Sequence, residues 1–196
     1  MLGHHLGRLA TALLATLVLA GCASPHYLQL DPKRSAEVPQ AGSGQAVTVK
    51  AADAREDEVI GTRSGDAMST SVITVTPREL TPRLQREAER AVRDMGFSPT
   101  TEAAPDRPSL TLTLQHLGYA RGDGQPLLGE ARLEAVLEAK AVNGGTTYTG
   151  TYTSRRTQSF ALRPNREENA EMLNELIGNA LDRAFRDPEL GQLLAR

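Results

Sequence analysis

"ARLEAVLEAKAVNGGTTYTGTYTS", residues 131–154, decides the fold, because it reads either as a helix or as a β-hairpin. Its first half consists largely of good helix formers. Ala131, Leu133, Ala135, Leu137, Ala139 and Ala141, however, place an apolar residue at every second position. A period of two gathers them on one face of a strand and scatters them around a helix. Asn143-Gly144 then leads into an alternating run of threonine and tyrosine, a strong hairpin signal. With a two-residue turn at Asn143-Gly144, Ala139 stands opposite Tyr148, Leu137 opposite Gly150 and Ala135 opposite Tyr152. Lys140 with Thr147 and Glu138 with Thr149 make the other face wettable. A turn at Gly144-Gly145 keeps this parity, whereas a three-residue turn breaks it.

Working outward, "SLTLTLQHLGY" (109–119) places Leu110, Leu112 and Leu114 on one face, then changes parity to Leu117 and Tyr119. That change predicts a bulge near His116. "AVTVKAAD" (46–53) and "SVITV" (71–75) read as short strands. Thr76, Pro77 and Glu79 form the start signal of a helix whose apolar stripe is Leu80, Leu84, Ala88, Ala91, Val92 and Met95, with Gly96 and Phe97 at its end. Pro82 conflicts with that start, since an interior proline costs about 3 kcal/mol. Either the first turn is loose or the regular helix begins at Thr81-Pro82. A second helix opens with Asn165 as cap and Glu168 three residues on, and buries Leu173, Leu176, Ile177, Ala180, Ala184 and Phe185. Asp187-Pro188 ends or kinks it before a last turn. The expected fold is α+β: one domain, a mostly antiparallel sheet of four to five strands, and two helices packed on one face.

The N-terminus reads as an address. Leu9 to Ala20 run without a charge after Arg8, which is too short to span about 30 Å of hydrocarbon but suits a signal peptide. The run ends in "LAGC", Leu19, Ala20, Gly21 and Cys22, and Cys22 is the only cysteine of the 196 residues. This resembles the lipobox of bacterial lipoproteins, which implies cleavage before Cys22 and acylation of that residue by palmitate-type chains. Two or more chains hold stably where one binds only marginally. Ala23 after the cysteine implies sorting to the outer membrane. The expected organisation is a signal peptide over 1–21, a flexible tether over 22–45 rich in proline and glycine, and a periplasmic domain over 46–196. A coil of that length would give a stand-off of roughly 25 Å.

Chemistry is sparse. With Cys22 acylated and His4 and His5 removed, only His26 and His116 remain, too few for a histidine-based metal site or triad. No cofactor is expected. Without Arg8 the chain has 21 basic and 24 acidic residues, so it lacks the positive field that nucleic acid demands. Glu134 and Glu138 fall on the wettable strand face and read as solvated.

Taken in order, "LAGC", "VTVKAADAR", "IGTRSG", "MGF", "LTLTLQHLGY", "NGGTTYTGTY" and "FALRPNREENAEMLNELIGNAL" resemble the YajG family of bacterial outer-membrane lipoproteins. The matching positions include Asp53, Arg55, Gly61 and Arg63, and Phe160, Pro164, Glu168 and Asn169. The resemblance implies a lipid-anchored domain facing the periplasm, partnered by the membrane through Cys22 and by the lipoprotein processing and sorting machinery. The expected role is a non-enzymatic scaffold or accessory module that binds another envelope protein. Its candidate surface is the charged loop carrying Asp53, Arg55, Gly61 and Arg63. Two alternatives stand beside it: a cell-wall hydrolase using a carboxylate pair about 5–10 Å apart, and a carrier of small hydrophobic cargo between helices and sheet.

Overall fold

The computed structural model describes residues 25–63, 71–121 and 129–196. Strands β1 (His26–Tyr27), β2 (Ala46–Asp53), β3 (Val59–Thr62) and β4 (Val72–Thr74) precede helix α1 (Pro77–Asp94). Then come β5 (Ser98–Thr100), β6 (Ser109–Arg121), β7 (Gly129–Asn143) and β8 (Thr146–Phe160), followed by α2 (Arg166–Phe185) and α3 (Pro188–Ala195).

The deciding stretch is a hairpin, β7–β8, in continuous antiparallel register with Asn143 opposite Thr146. The turn is therefore Gly144-Gly145, not Asn143-Gly144. A tight two-residue hairpin turn of this type needs φ > 0 at both central positions, and the two glycines adopt +55° and +79°. Parity survives: Leu137 faces Tyr152, Ala139 faces Gly150, and Ala141 faces Tyr148. The six alternating apolar residues of β7 are all buried. In β6 the register slips between Leu114 and His116, so Gln115 is the extra residue of the expected bulge.

The sheet is larger and more mixed than four to five antiparallel strands. β6 pairs antiparallel with β7 on one side. Its other side is shared by two parallel partners, β2 along Ser109–Leu114 and β3 at Tyr119. β5 extends the sheet beyond β2, while β4 and β1 extend it beyond β3, giving eight strands. The three strands missed by sequence, β1, β3 and β5, have two to four residues, too few to display a period. Pro99 inside β5 also argues against a strand, but it sits at the sheet edge, where a missing N–H is tolerated.

Among the described residues three helices form, not two. In α1 the Thr76 side chain makes no cap bond, so the expected capping box is absent. Instead the Thr76 carbonyl accepts from the N–H groups of both Glu79 and Leu80, and the helix continues through Pro82. Its end is as read: Gly96 at φ +91°, with Gly96 N–H donating to Arg93 O and Phe97 N–H to Val92 O. The capping box of α2 is complete between Asn165 and Glu168. Asp187 caps α3, whose first residue is Pro188.

Residues 28–44, expected as part of a tether, are a strap fastened across the helical layer. Leu28 and Leu30 are buried in the core. Asp31 N–H donates to Asn174 Oδ1 at 2.8 Å, and Ser35 and Ala36 N–H donate to the Asp182 carboxylate of α2 at 3.0 and 2.9 Å. On the other side Arg34 ion-pairs with Glu87 and Asp94 of α1 at 3.2 and 2.6 Å, and its guanidinium lies over the Phe185 ring. Ala41 and Gly42 then donate to Met95 O, and Gly44 to Gly96 O. The polar strap composition that suggested a coil is explained by these bonds, in which strap groups find partners on α1 and α2.

Gly178 of α2 is what lets the strap lie so close, since a Cβ there would meet Lys33 O at 2.4 Å. A glycine-to-alanine change inside a helix normally gains about 1 kcal/mol. Gly178→Ala should reverse that sign, lowering stability by about 1–3 kcal/mol as the strap is pushed off. Thermal unfolding of the variant checks it; a raised melting temperature would contradict the packing described.

Candidate functional site

The loop singled out in the sequence follows β2. Asp53 closes that strand, and its carboxylate accepts from Arg55 three times: backbone N–H at 3.2 Å, Nε at 2.9 Å and Nη2 at 2.7 Å. Arg55 Nη2 also donates to Val75 O at 2.9 Å, tying the loop to the start of α1. Both side chains are interior, 1% exposed for Asp53 and 4% for Arg55. They lock the loop and do not present a recognition surface, which corrects the expectation for these two residues. Gly61 is a spacing device: a Cβ would lie 1.7 Å from Tyr119 O, so only glycine lets β3 reach β6. Arg63 N–H donates to Ser71 O. The exposed residues between β2 and β3 are Ala54, Glu56, Asp57 and Glu58.

Phe160, Pro164, Glu168 and Asn169 gather where β8 passes into α2. Glu168 N–H donates to Asn165 Oδ1 at 2.9 Å, and Glu168 Oε2 accepts from Asn165 N–H at 2.8 Å. Asn169 is wholly buried, with Nδ2 3.4 Å from Pro164 O and 3.2 Å from Nδ1 of His26. Burial, with Arg63 and Arg166 nearby, holds the His26 ring below its ordinary pKa, so the ring is neutral and its Nδ1 accepts from Asn169. These residues thus fasten β1 to the head of α2. The sequence reading missed His26 because it stood in a stretch taken for tether. Phe160 lies against Gly129, leaving no space there for a Cβ.

Several open hollows contain carboxylates, and two of them share Arg156 in their lining. One, about 430 Å³, lies beside His116 and Gly118 and includes Glu134, which ion-pairs across the strands with Arg155 at 2.5 Å. The other, about 370 Å³, lies between β8 and α2 and includes Glu168, Glu171 and Glu175. Glu168 serves the helix cap there, and Glu175 is paired with Arg156. The alanines that could have left room for cargo, Ala135, Ala139 and Ala141, are instead fully buried in the core. Among the described residues, no three of His, Cys, Asp or Glu are grouped to hold a metal ion.

Asp187 forms the remaining polar cluster. One carboxylate oxygen accepts from both Tyr148 and Tyr152 hydroxyls at 2.6 Å, while the other accepts from Glu189 N–H and caps α3. Burial alone would raise the Asp187 pKa, but the tyrosine and backbone donors outweigh it and hold the carboxyl below its ordinary value. Burial and the bonded carboxylate push Tyr152 upward, and the bond to Asp187 does the same to Tyr148. A carboxyl depressed on folding contributes stability above its unfolded pKa, near 4, and loses it as pH falls through the lower folded value. Melting temperature should therefore fall as pH drops from about 4 to 2. Asp187→Asn should lower it at neutral pH and flatten that acid decline; an unchanged acid profile would assign the decline elsewhere.

Leu19, Ala20, Gly21 and Cys22 lie outside the described residues. No helix among the described residues is long and apolar enough to cross a membrane. Fold and site together define a mixed sheet with helices fastened across one face by a strap, its buried charged residues engaged in holding elements together. Comparison with known proteins identifies this class. The chain belongs to a family of uncharacterised lipoproteins, whose pattern it matches over residues 32–195. No curated protein matches the sequence. The fold is similar to that of a protein from Xanthomonas campestris, at 17% identity and a TM-score of 0.54, covering 84% of this chain and 93% of that one. It is also similar to an uncharacterised protein, at 14% identity and a TM-score of 0.50, covering 83% and 95%. A minor lipoprotein of Acinetobacter baumannii gives 12% identity and a TM-score of 0.43, covering 75% and 90%.

Proposed function

We propose that this chain is an outer-membrane lipoprotein of the YajG type, acylated at Cys22, whose periplasm-facing domain is a non-enzymatic binding or accessory module for another envelope protein. The observation that carries the reading is the way the charged residues are used. Asp53, Arg55, Asp182 and Asp187 all bond within the fold, in a chain that belongs to a lipoprotein family. Such bonds specify shape and leave recognition to the exposed surface. In the candidate loop that surface narrows to Glu56–Glu58, where charge and accessibility coincide.

The test is photo-cross-linking in intact cells from positions 56–58, with the native N-terminus retained. One defined envelope protein should be captured, and capture should be lost when Glu56, Asp57 and Glu58 are replaced by alanine while the melting temperature is kept. Release of soluble fragments from purified cell wall by the purified lipoprotein would favour the hydrolase instead.

A further inference from the structure

With the chain fastened to the fold from β1 onward, the domain stands close to Cys22. β1 begins four residues after Cys22, and each residue spans at most about 3.6 Å, so His26 lies within roughly 15 Å of the cysteine however the intervening chain runs. β1 is itself fixed: His26 pairs with Ile73, Tyr27 pairs with Thr74, and the His26 ring is bonded to Asn169 at the head of α2. If acyl chains on Cys22 sit in hydrocarbon, as the proposed function holds, this end of the fold is confined to the headgroup layer.

That end carries the apolar side chains that the core does not use. Tyr27 is 65% exposed, Leu162 86% and Val59 47%, and these are the exposed large hydrophobic residues among those described. Tyr27 and Val59 flank the same residue, Thr74, in one row of the sheet. Leu162 stands two residues before Pro164, whose carbonyl shares Asn169 with His26. The exposed charges alongside carry no positive excess: Arg163 and Arg166 stand against Glu167 and Glu168, with Arg166 and Glu167 paired at 3.0 Å, and Glu56, Asp57 and Glu58 precede Val59. β8 runs from this end through fifteen residues, a rise of roughly 50 Å, which places Thr146 at the far end of the sheet.

We propose that Tyr27, Val59 and Leu162 form a bilayer-docking face that seats the domain directly on the leaflet holding its lipid, with the β7–β8 turn pointing away. The phenol of tyrosine and the isobutyl group of leucine suit the boundary between headgroups and acyl chains. Without a positive excess at this end, docking uses a zwitterionic surface and needs no anionic lipid.

The test uses the full lipoprotein purified from cells, carrying Ala161→Cys or Thr146→Cys, labelled with a thiol-reactive fluorophore and placed in phosphatidylcholine vesicles containing nitroxide-labelled lipid. An acylated Cys22 cannot react, so each chain takes one fluorophore. The probe at 161 should be quenched several-fold more strongly than that at 146, and Tyr27→Ser with Leu162→Ser should erase most of the difference. Phosphatidylserine should leave it unchanged. Equal quenching at 161 and 146, or quenching at 161 only with anionic lipid, would overturn docking while leaving the anchor intact. Two fluorophores per chain would show Cys22 unacylated and overturn both docking and anchoring.

Discussion

Arg34→Ala should lower the stability of the domain by about 3 kcal/mol, the low end of the cost of stranding one partner of a buried ion pair. Arg34 is 5% exposed and Glu87 only 2%. Arg90 remains 3.4 Å from Glu87 but is itself half exposed, so it compensates in part. The guanidinium also covers Phe185, and that contact is lost as well. In a chain of this size, 3 kcal/mol corresponds to a fall in melting temperature of roughly 10 °C. The double variant Arg34→Ala with Glu87→Gln should recover part of the loss, because a neutral amide is cheaper to leave buried. If the single variant melts within 2 °C or so of the parent, residues 28–44 are a tether after all.

Arg55→Ala should be costlier, about 3–5 kcal/mol, because it leaves the Asp53 carboxylate 1% exposed without its two guanidinium donors and releases Val75 O. Replacing Asp53, Arg55 and Arg63 together should therefore unfold or markedly destabilise the domain. Chemical denaturation of the single variants measures this directly. A variant at Arg55 that keeps its full stability would return the residue to the list of recognition candidates.

Much of the fold was legible in residues 131–154, because fifteen-residue strands repeat their pattern often enough to outweigh helix propensity. The bulge in β6 was legible for the same reason: Leu114 and Leu117 break parity within a long run. Register at the turn was not, since Asn-Gly and Gly-Gly both satisfy a tight hairpin, and the choice rests on which pair takes positive φ. The parallel partners of β6 were hidden because β3 is short and the pairing of β2 is decided by tertiary contacts. Asp53 and Arg55 were found by residue type, but charge in a loop does not tell a binding surface from an internal clamp. The strap was misread for a related reason: serine, lysine and proline in sequence look alike whether their polar groups face water or a helix side chain such as Asp182.

The account rests on lipid at Cys22. Cells grown with radioactive palmitate, followed by recovery of this chain from membrane and soluble fractions, test that most directly. The account predicts label on the mature chain, all of it in the outer-membrane fraction, and none after Cys22→Ala. An unlabelled chain, or one recovered free of membrane, would contradict it.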